Sequence, residues 1–143
     1  MLFGQFAFLV SALFTGAAFY VNFAEQPARL SLDDRALLAE WKIAYKRGTA
    51  VQAPLALIGC VLGLLAWYCT GHLLFLLGGL VMIANWPWTL LVMMPINNKL
   101  MATPLEVVGA DTRPQIQKWN GFHAMRTVFG FLAVVAFFFA LIG

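Results

Sequence analysis

The chain has 143 residues, of which 62% are hydrophobic and only 10% are charged, and its mean hydropathy is +0.84. Soluble domains carry about a quarter of their residues as charged side chains, so this composition excludes an ordinary soluble protein. The net charge of +3 comes from few basic residues beside apolar runs, a pattern typical of membrane topology signals and not of nucleic-acid binding.

Four apolar runs are each long enough to cross a bilayer, which takes roughly 20 residues of helix. Residues 48–98 contain no Asp, Glu, Lys or Arg and hold two of the runs, separated by a short polar break at 68–72. The sequence therefore predicts an all-α protein: one domain over residues 1–143, folded as an up-down-up-down bundle of four transmembrane helices. The predicted spans are residues 1–24, 49–68, 73–94 and 115–141.

The connections between the spans carry their own signals. Pro27 is expected to end the first helix. Asp33 and Asp34 form a helix start, so the second helix is expected to begin near Asp33 and to extend beyond the membrane into the cytoplasm. Residues 95–114 contain Pro104 and Gly109 and are expected to be mainly loop, with the helix before them closing at residues 97–98.

Basic residues predict the orientation. Eight of the nine lie in the two longer connections and none lies in the turn between the second and third helices. Since cytoplasmic loops are enriched in Lys and Arg, we expect both longer connections to face the cytoplasm and both termini to lie on the other side, as in a bacterial inner-membrane protein. The eight are Arg29, Arg35, Lys42, Lys46, Arg47, Lys99, Arg113 and Lys118.

Polar residues of all four helices gather at the cytoplasmic side of the predicted bundle, whereas the outer half offers almost nothing comparable. Inside a bundle these side chains can meet, but facing lipid they would be costly. The sequence therefore predicts a polar pocket at this end, open to an apolar or aromatic small molecule or a lipid. Its candidate residues are Asn22, Glu25, Gln52, Asn97, Asn98, Trp119, His123 and Arg126.

Trp119, His123 and Arg126 are spaced i, i+4 and i+7, so they share one helix face. Arg126 either snorkels to the surface as a topology signal or points inward, where Glu25 or asparagine carbonyls could pair with it. His123 is either a functional base or a hydrogen-bonded core residue. No metal or other cofactor site is predicted, because His72 and His123 fall on opposite sides of the membrane and no thiolate pair or carboxylate metal motif is present.

Three short motifs carry a family resemblance: Trp-Pro-Trp-Thr at residues 86–89, Pro-Ile-Asn-Asn-Lys-Leu at 95–100, and Trp-Asn-Gly-Phe-His-Ala-Met-Arg at 119–126. With them the chain resembles the anthrone oxygenase-like family of small integral membrane proteins, most of which have no assigned function. The resemblance implies a four-helix membrane protein. For its few characterised relatives it implies oxidation of a polycyclic anthrone to an anthraquinone by O₂, without metal or flavin.

Carried over to this chain, the resemblance implies that Asn97 or Asn98, Trp119, His123 and Arg126 are the functional residues. We expect His123 to act as the base, and Arg126 with an asparagine amide to hold the developing oxyanion. Trp119 and either Trp86 or Trp88 would flank the flat ring. The alternative is a non-catalytic binding or assembly protein, in which the polar cluster only holds the helices in register.

Overall fold

A computed structural model describes all residues from Met1 to Gly143 and consists of helices joined by short connections. Its four long helices are each long and apolar enough to cross a membrane, as an integral membrane protein requires. They are α1 (Leu2–Leu30), α2 (Asp34–Thr70), α3 (Leu73–Ala102) and α4 (Thr112–Ile142). A short 3₁₀ turn, Leu105–Val107, lies in the last connection. The predicted all-α fold of four membrane-spanning helices is confirmed.

The helices form an up-down-up-down bundle in which α1 and α3 each pack against both α2 and α4. One end of the bundle carries the α1–α2 and α3–α4 connections. We call it the charged end, because every charged residue except Arg126 falls within residues 25–47 and 99–118. The opposite end carries both termini and the turn at Gly71, and we call it the turn end.

The limits of α2 follow from its capping residues. The Asp33 side chain accepts hydrogen bonds of 3.0 Å from the backbone N–H groups of Arg35 and Ala36, which satisfies donors that a helix start leaves free. At the other end Gly71 takes the left-handed conformation, with φ of 71°, that favours glycine at a helix terminus. The predicted extension of the second helix back to Asp33 is therefore confirmed.

Two long helices continue through a proline, although Pro27 was expected to end the first of them. α1 continues through Pro27 to Leu30, and α3 continues through Pro95 to Ala102. In both helices a π-helical segment ends two residues before the proline, at Val21–Glu25 and at Thr89–Met93. A proline lacks the N–H group and its ring crowds the carbonyl four residues earlier, and the wider π turn accommodates both effects. Residues 97 and 98 therefore lie inside α3, and the expectation that they close the helix is wrong.

Two apolar clusters fill the bundle. The cluster toward the turn end includes Phe14, Phe75 and Phe137. There α2 and α3 approach closely, since a Cβ added at Gly79 would lie 3.1 Å from the Cys60 carbonyl oxygen. The second cluster, at the charged end, includes Trp41 and Trp119, among others. On each of the four helices, the buried polar residues that lie within the membrane are found between these two clusters or next to one of them.

Candidate functional site

Six of the predicted residues line one partly enclosed cavity near the charged end, and all four helices contribute to it. The cavity has a volume of about 20 Å³, which is room for one water-sized molecule. The predicted residues in its wall are Glu25, Gln52, Asn97, Trp119, His123 and Arg126. A pocket for an apolar or aromatic molecule at this end stays a prediction, because the cavity itself is small.

The other four predicted residues lie outside this wall. Asn22 does not line the cavity, but it forms a hydrogen bond with His123. Asn98 is exposed, although its neighbour Asn97 is buried. Trp88 donates to the Phe122 carbonyl over 2.9 Å and lines no cavity, whereas Trp86 lines a separate pocket described below.

The hydrogen bonds of Asn22 determine the tautomer of His123. Asn22 Nδ2 lies 2.9 Å from the backbone carbonyl of Asn120, and a carbonyl can only accept. The other amide atom of Asn22 is therefore the oxygen, and it lies 3.0 Å from His123 Nδ1 and 3.2 Å from the Thr127 hydroxyl. In the neutral imidazole Nδ1 must then carry the proton, which leaves the Nε2 lone pair of His123 free of any protein partner.

Trp119 fixes the orientation of Asn97 in the same way. The indole N–H of Trp119 only donates, and it lies 2.8 Å from Asn97 Oδ1. Asn97 Nδ2 is therefore left as a buried donor without a partner in the protein. The Trp119 ring also packs beside His123, with 4.8 Å between ring centroids, and edge-on to Trp41 at 5.7 Å.

Arg29 is a buried arginine of the site that forms ion pairs with two carboxylates. It is 2% exposed, its Nη2 binds Glu25, and its Nε lies 2.7 Å from a Glu40 carboxylate oxygen. Its guanidinium carbon lies 5.7 Å from the Trp119 ring centroid, so this ion cluster supports the wall of the cavity. Sequence reasoning missed Arg29, although the i, i+4 spacing from Glu25 was a readable signal.

Arg126 has the opposite surroundings. It is 7% exposed, so it points inward and the snorkelling alternative is wrong. It makes no hydrogen bond or ion pair with any other residue, and its Nε is buried without a partner. The expected pairing with Glu25 is also wrong, because Arg29 occupies that carboxylate. Its guanidinium carbon lies 5.6 Å from the ring centroid of Phe14.

A second, larger pocket lies between α2 and α3 and has a volume of about 150 Å³. It shares Thr49 and Arg126 with the small cavity, so Arg126 stands in the wall between them. Leu90, 55% exposed, lies at its rim, so the pocket opens on the lipid-facing surface. Its other lining residues are Ala53, Asn85, Trp86, Thr89 and Met94.

The small cavity therefore brings together an unprotonated imidazole nitrogen, a guanidinium without an anion and a free amide N–H. Such a set can take a proton from a bound molecule and stabilise the negative oxygen that results. No group of three or more His, Cys, Asp or Glu side chains is placed to hold a metal ion.

Comparison with known proteins places the chain in a family. No curated protein and no solved structure matches it. The profile of the anthrone oxygenase family matches residues 41–136, about two thirds of the sequence, and this stretch includes Asn97, Trp119, His123 and Arg126. The chain belongs to the anthrone oxygenase family.

Proposed function

We propose that this membrane protein is an oxygenase that oxidises an anthrone-type ring compound with O₂ at the charged end of the bundle. Membership of the family supports this reaction class. The observation that carries the proposal is Arg126, a buried cation without an anionic partner, beside the free Nε2 of His123. A purely structural cluster gains nothing from an unpaired buried charge, whereas an oxyanion site can use one.

The first step is a proton transfer. An anthrone has an acidic CH₂ group opposite its ring carbonyl, and His123 Nε2 takes one of these protons. The electron pair of the broken C–H bond moves into the ring system, so that negative charge develops on the carbonyl oxygen. Arg126 and Asn97 Nδ2 stabilise that oxygen, and Asn22 keeps the imidazole in the tautomer that accepts the proton.

The anion then reacts with O₂. It passes one electron to O₂, and the resulting ring radical and superoxide combine to form a C–O bond. Loss of the second proton from the same carbon, with cleavage of the O–O bond, yields the second carbonyl. One oxygen atom stays in the quinone and the other leaves as water, so the steps need only substrate, O₂ and the side chains named.

The reactants reach the site through the membrane. Both O₂ and an apolar ring compound partition into lipid, so no aqueous channel is needed. By the distribution of basic residues, the charged end faces the cytoplasm of a bacterial inner membrane and both termini lie on the other side.

Replacement His123→Gln tests the proposal. Glutamine is a poor base, so the rate of O₂-dependent anthrone oxidation should fall by about 10²–10⁴-fold. Quinone absorbance and oxygen uptake of the purified protein measure the rate, after subtraction of spontaneous oxidation. Asn98→Ala, on the exposed neighbour of Asn97, is the control and should retain activity.

Equal rates for His123→Gln and the parent protein would exclude His123 as the base. A parent protein no faster than the spontaneous reaction would favour the non-catalytic binding or assembly protein.

A further inference from the structure

The pocket between α2 and α3 contains a buried acceptor that the proposed chemistry does not use. Asn85 is 1% exposed and lines this pocket. Its Nδ2 donates to the Met82 carbonyl over 3.0 Å, which fixes the orientation of the amide, and its Oδ1 is buried with no partner in the protein. A buried acceptor without a donor costs free energy, so its presence beside a pocket needs an explanation.

The size and lining of this pocket suit a flat ring. The small cavity of about 20 Å³ cannot hold one, whereas the pocket of about 150 Å³ lies just across Arg126. Trp86 forms part of its wall, and its indole N–H is already bound to the Ala53 carbonyl over 3.3 Å, so the indole packs against a ligand without needing a polar partner. Leu90 and Met94 complete an apolar wall.

We infer that this pocket is the ring-binding site, entered from the lipid, and that Asn85 selects rings with a hydroxyl group. Asn85 Oδ1 accepts a hydrogen bond from that hydroxyl, and Arg126 meets the ring oxygen that carries negative charge. The reacting edge of the ring then extends past Thr49 and Arg126 into the small cavity, where His123 and Asn97 lie. The class of ring rests on the proposed function. The location of the site does not, because it is inferred from two buried polar groups, Asn85 and Arg126.

Binding of ring compounds that cannot be oxidised further tests the assignment. The probes are 2-hydroxyanthraquinone, which offers a donor, and 2-methoxyanthraquinone, which has the same rings and no donor. The parent protein in detergent should bind the hydroxy compound about tenfold more tightly, as expected when the methoxy compound leaves a buried acceptor unpaired. Equal dissociation constants for the two probes would overturn the role of Asn85.

Variants locate the contact. Asn85→Leu should lose the preference for the hydroxy compound, whereas Asn98→Leu, on the exposed part of the same helix, should keep it. Leu90→Trp should fill the pocket and weaken binding about tenfold or more. Leu91→Trp is its control, since Leu91 is 78% exposed and lines no cavity. Unchanged binding in Leu90→Trp would show that the ring lies elsewhere.

A fatty acid is the competing occupant, because its carboxylate could pair with Arg126 without using Asn85. Tighter binding of oleate than of 2-hydroxyanthraquinone would make the pocket a lipid site and overturn the inference. The binding assay is independent of turnover, so it needs no oxidation by the parent protein or by any variant. A protein that discriminates between the probes but oxidises no anthrone would contradict the proposed function and leave the binding site standing.

Discussion

Two arginines lie buried near the charged end, and their surroundings are opposite. Arg29 contacts the carboxylates of Glu25 and Glu40, whereas Arg126 contacts no anion. A buried charge that is paired becomes destabilising when one partner is removed, and a buried charge that is unpaired is destabilising as it stands. The same replacement should therefore have opposite effects on stability at the two positions.

Arg126→Met should raise the stability of the bundle by about 1–3 kcal/mol, because it replaces an unpaired charge that costs about 2.5–3.5 kcal/mol near the bilayer core. The same variant should lose anthrone oxidation. Arg29→Met should lower stability by roughly 1–3 kcal/mol, because two carboxylates lose their common partner. Thermal unfolding in detergent measures both effects. A fall in the melting temperature of Arg126→Met would identify Arg126 as a structural residue.

The convergence of polar residues was predictable from sequence, but not all of their partners were. The i, i+4, i+7 spacing places Trp119, His123 and Arg126 on one face, and the structure confirms that all three line one cavity. Glu25 and Arg29 lie at i, i+4 on one helix, so that pair was readable, whereas the contact of Arg29 with Glu40 depends on the packing of α1 against α2, which no local pattern encodes. Asn97 and Asn98 differ by one residue, about 100° of helix rotation, so their exposure depends on the rotation of α3.

At the scale of helices, the two π-helical segments explain why sequence reasoning ended α1 and α3 too early. A proline normally marks a helix boundary, and the π segments before Pro27 and Pro95 let the helices continue. Each π turn holds one residue more than an α turn. Removing one residue there, together with replacement of the proline that the π turn accommodates, should restore regular helix and keep the side chains on both sides facing as they did.

Deletion of Leu91, which is 78% exposed within the π segment of α3, should therefore leave a folded bundle when it is combined with Pro95→Ala. Deletion of Leu77, in the regular part of the same helix and in the same Pro95→Ala background, is the matched control. It should turn one side of α3 by about 100° relative to the other and prevent folding. Gel filtration and helical circular dichroism of the two proteins test this. Equal damage from both deletions would contradict the tolerance that we expect of the π segment.

The close contact of α2 and α3 gives a prediction for glycine. Gly79→Ala should lower stability by about 1–3 kcal/mol, because its Cβ would meet the Cys60 carbonyl oxygen at 3.1 Å. Gly121→Ala is the control: no atom lies within 4 Å of the added Cβ, and the change should raise stability by about 0.5–1 kcal/mol. Unfolding of both variants in the same detergent checks the opposite signs. A Gly79→Ala protein as stable as the parent would mean that the two helices can separate at little cost.

At the scale of the whole molecule, the four helices were predictable because each contains an apolar run long enough to span a bilayer. The cavity dimensions were not predictable, since they depend on how four helices fit together. The orientation stays a prediction, and it follows from the basic residues at one end alone.

Reporter insertions test the orientation. Alkaline phosphatase folds only outside the cytoplasm, so its fusion after Gly143 should be active in bacterial cells. The same enzyme inserted after Gly109, in the connection between α3 and α4, should be inactive. The opposite pattern would place the charged end outside the cytoplasm and contradict the topology expected from the basic residues.

The two cavities on either side of Arg126 also bear on the order in which reactants arrive. They share only Thr49 and Arg126, so a ring whose body lies in the larger pocket can extend one edge into the smaller cavity. Its proton then leaves on the side of His123, while dissolved O₂ can reach the same ring from the lipid. Because the two reactants use separate routes, they can arrive in either order.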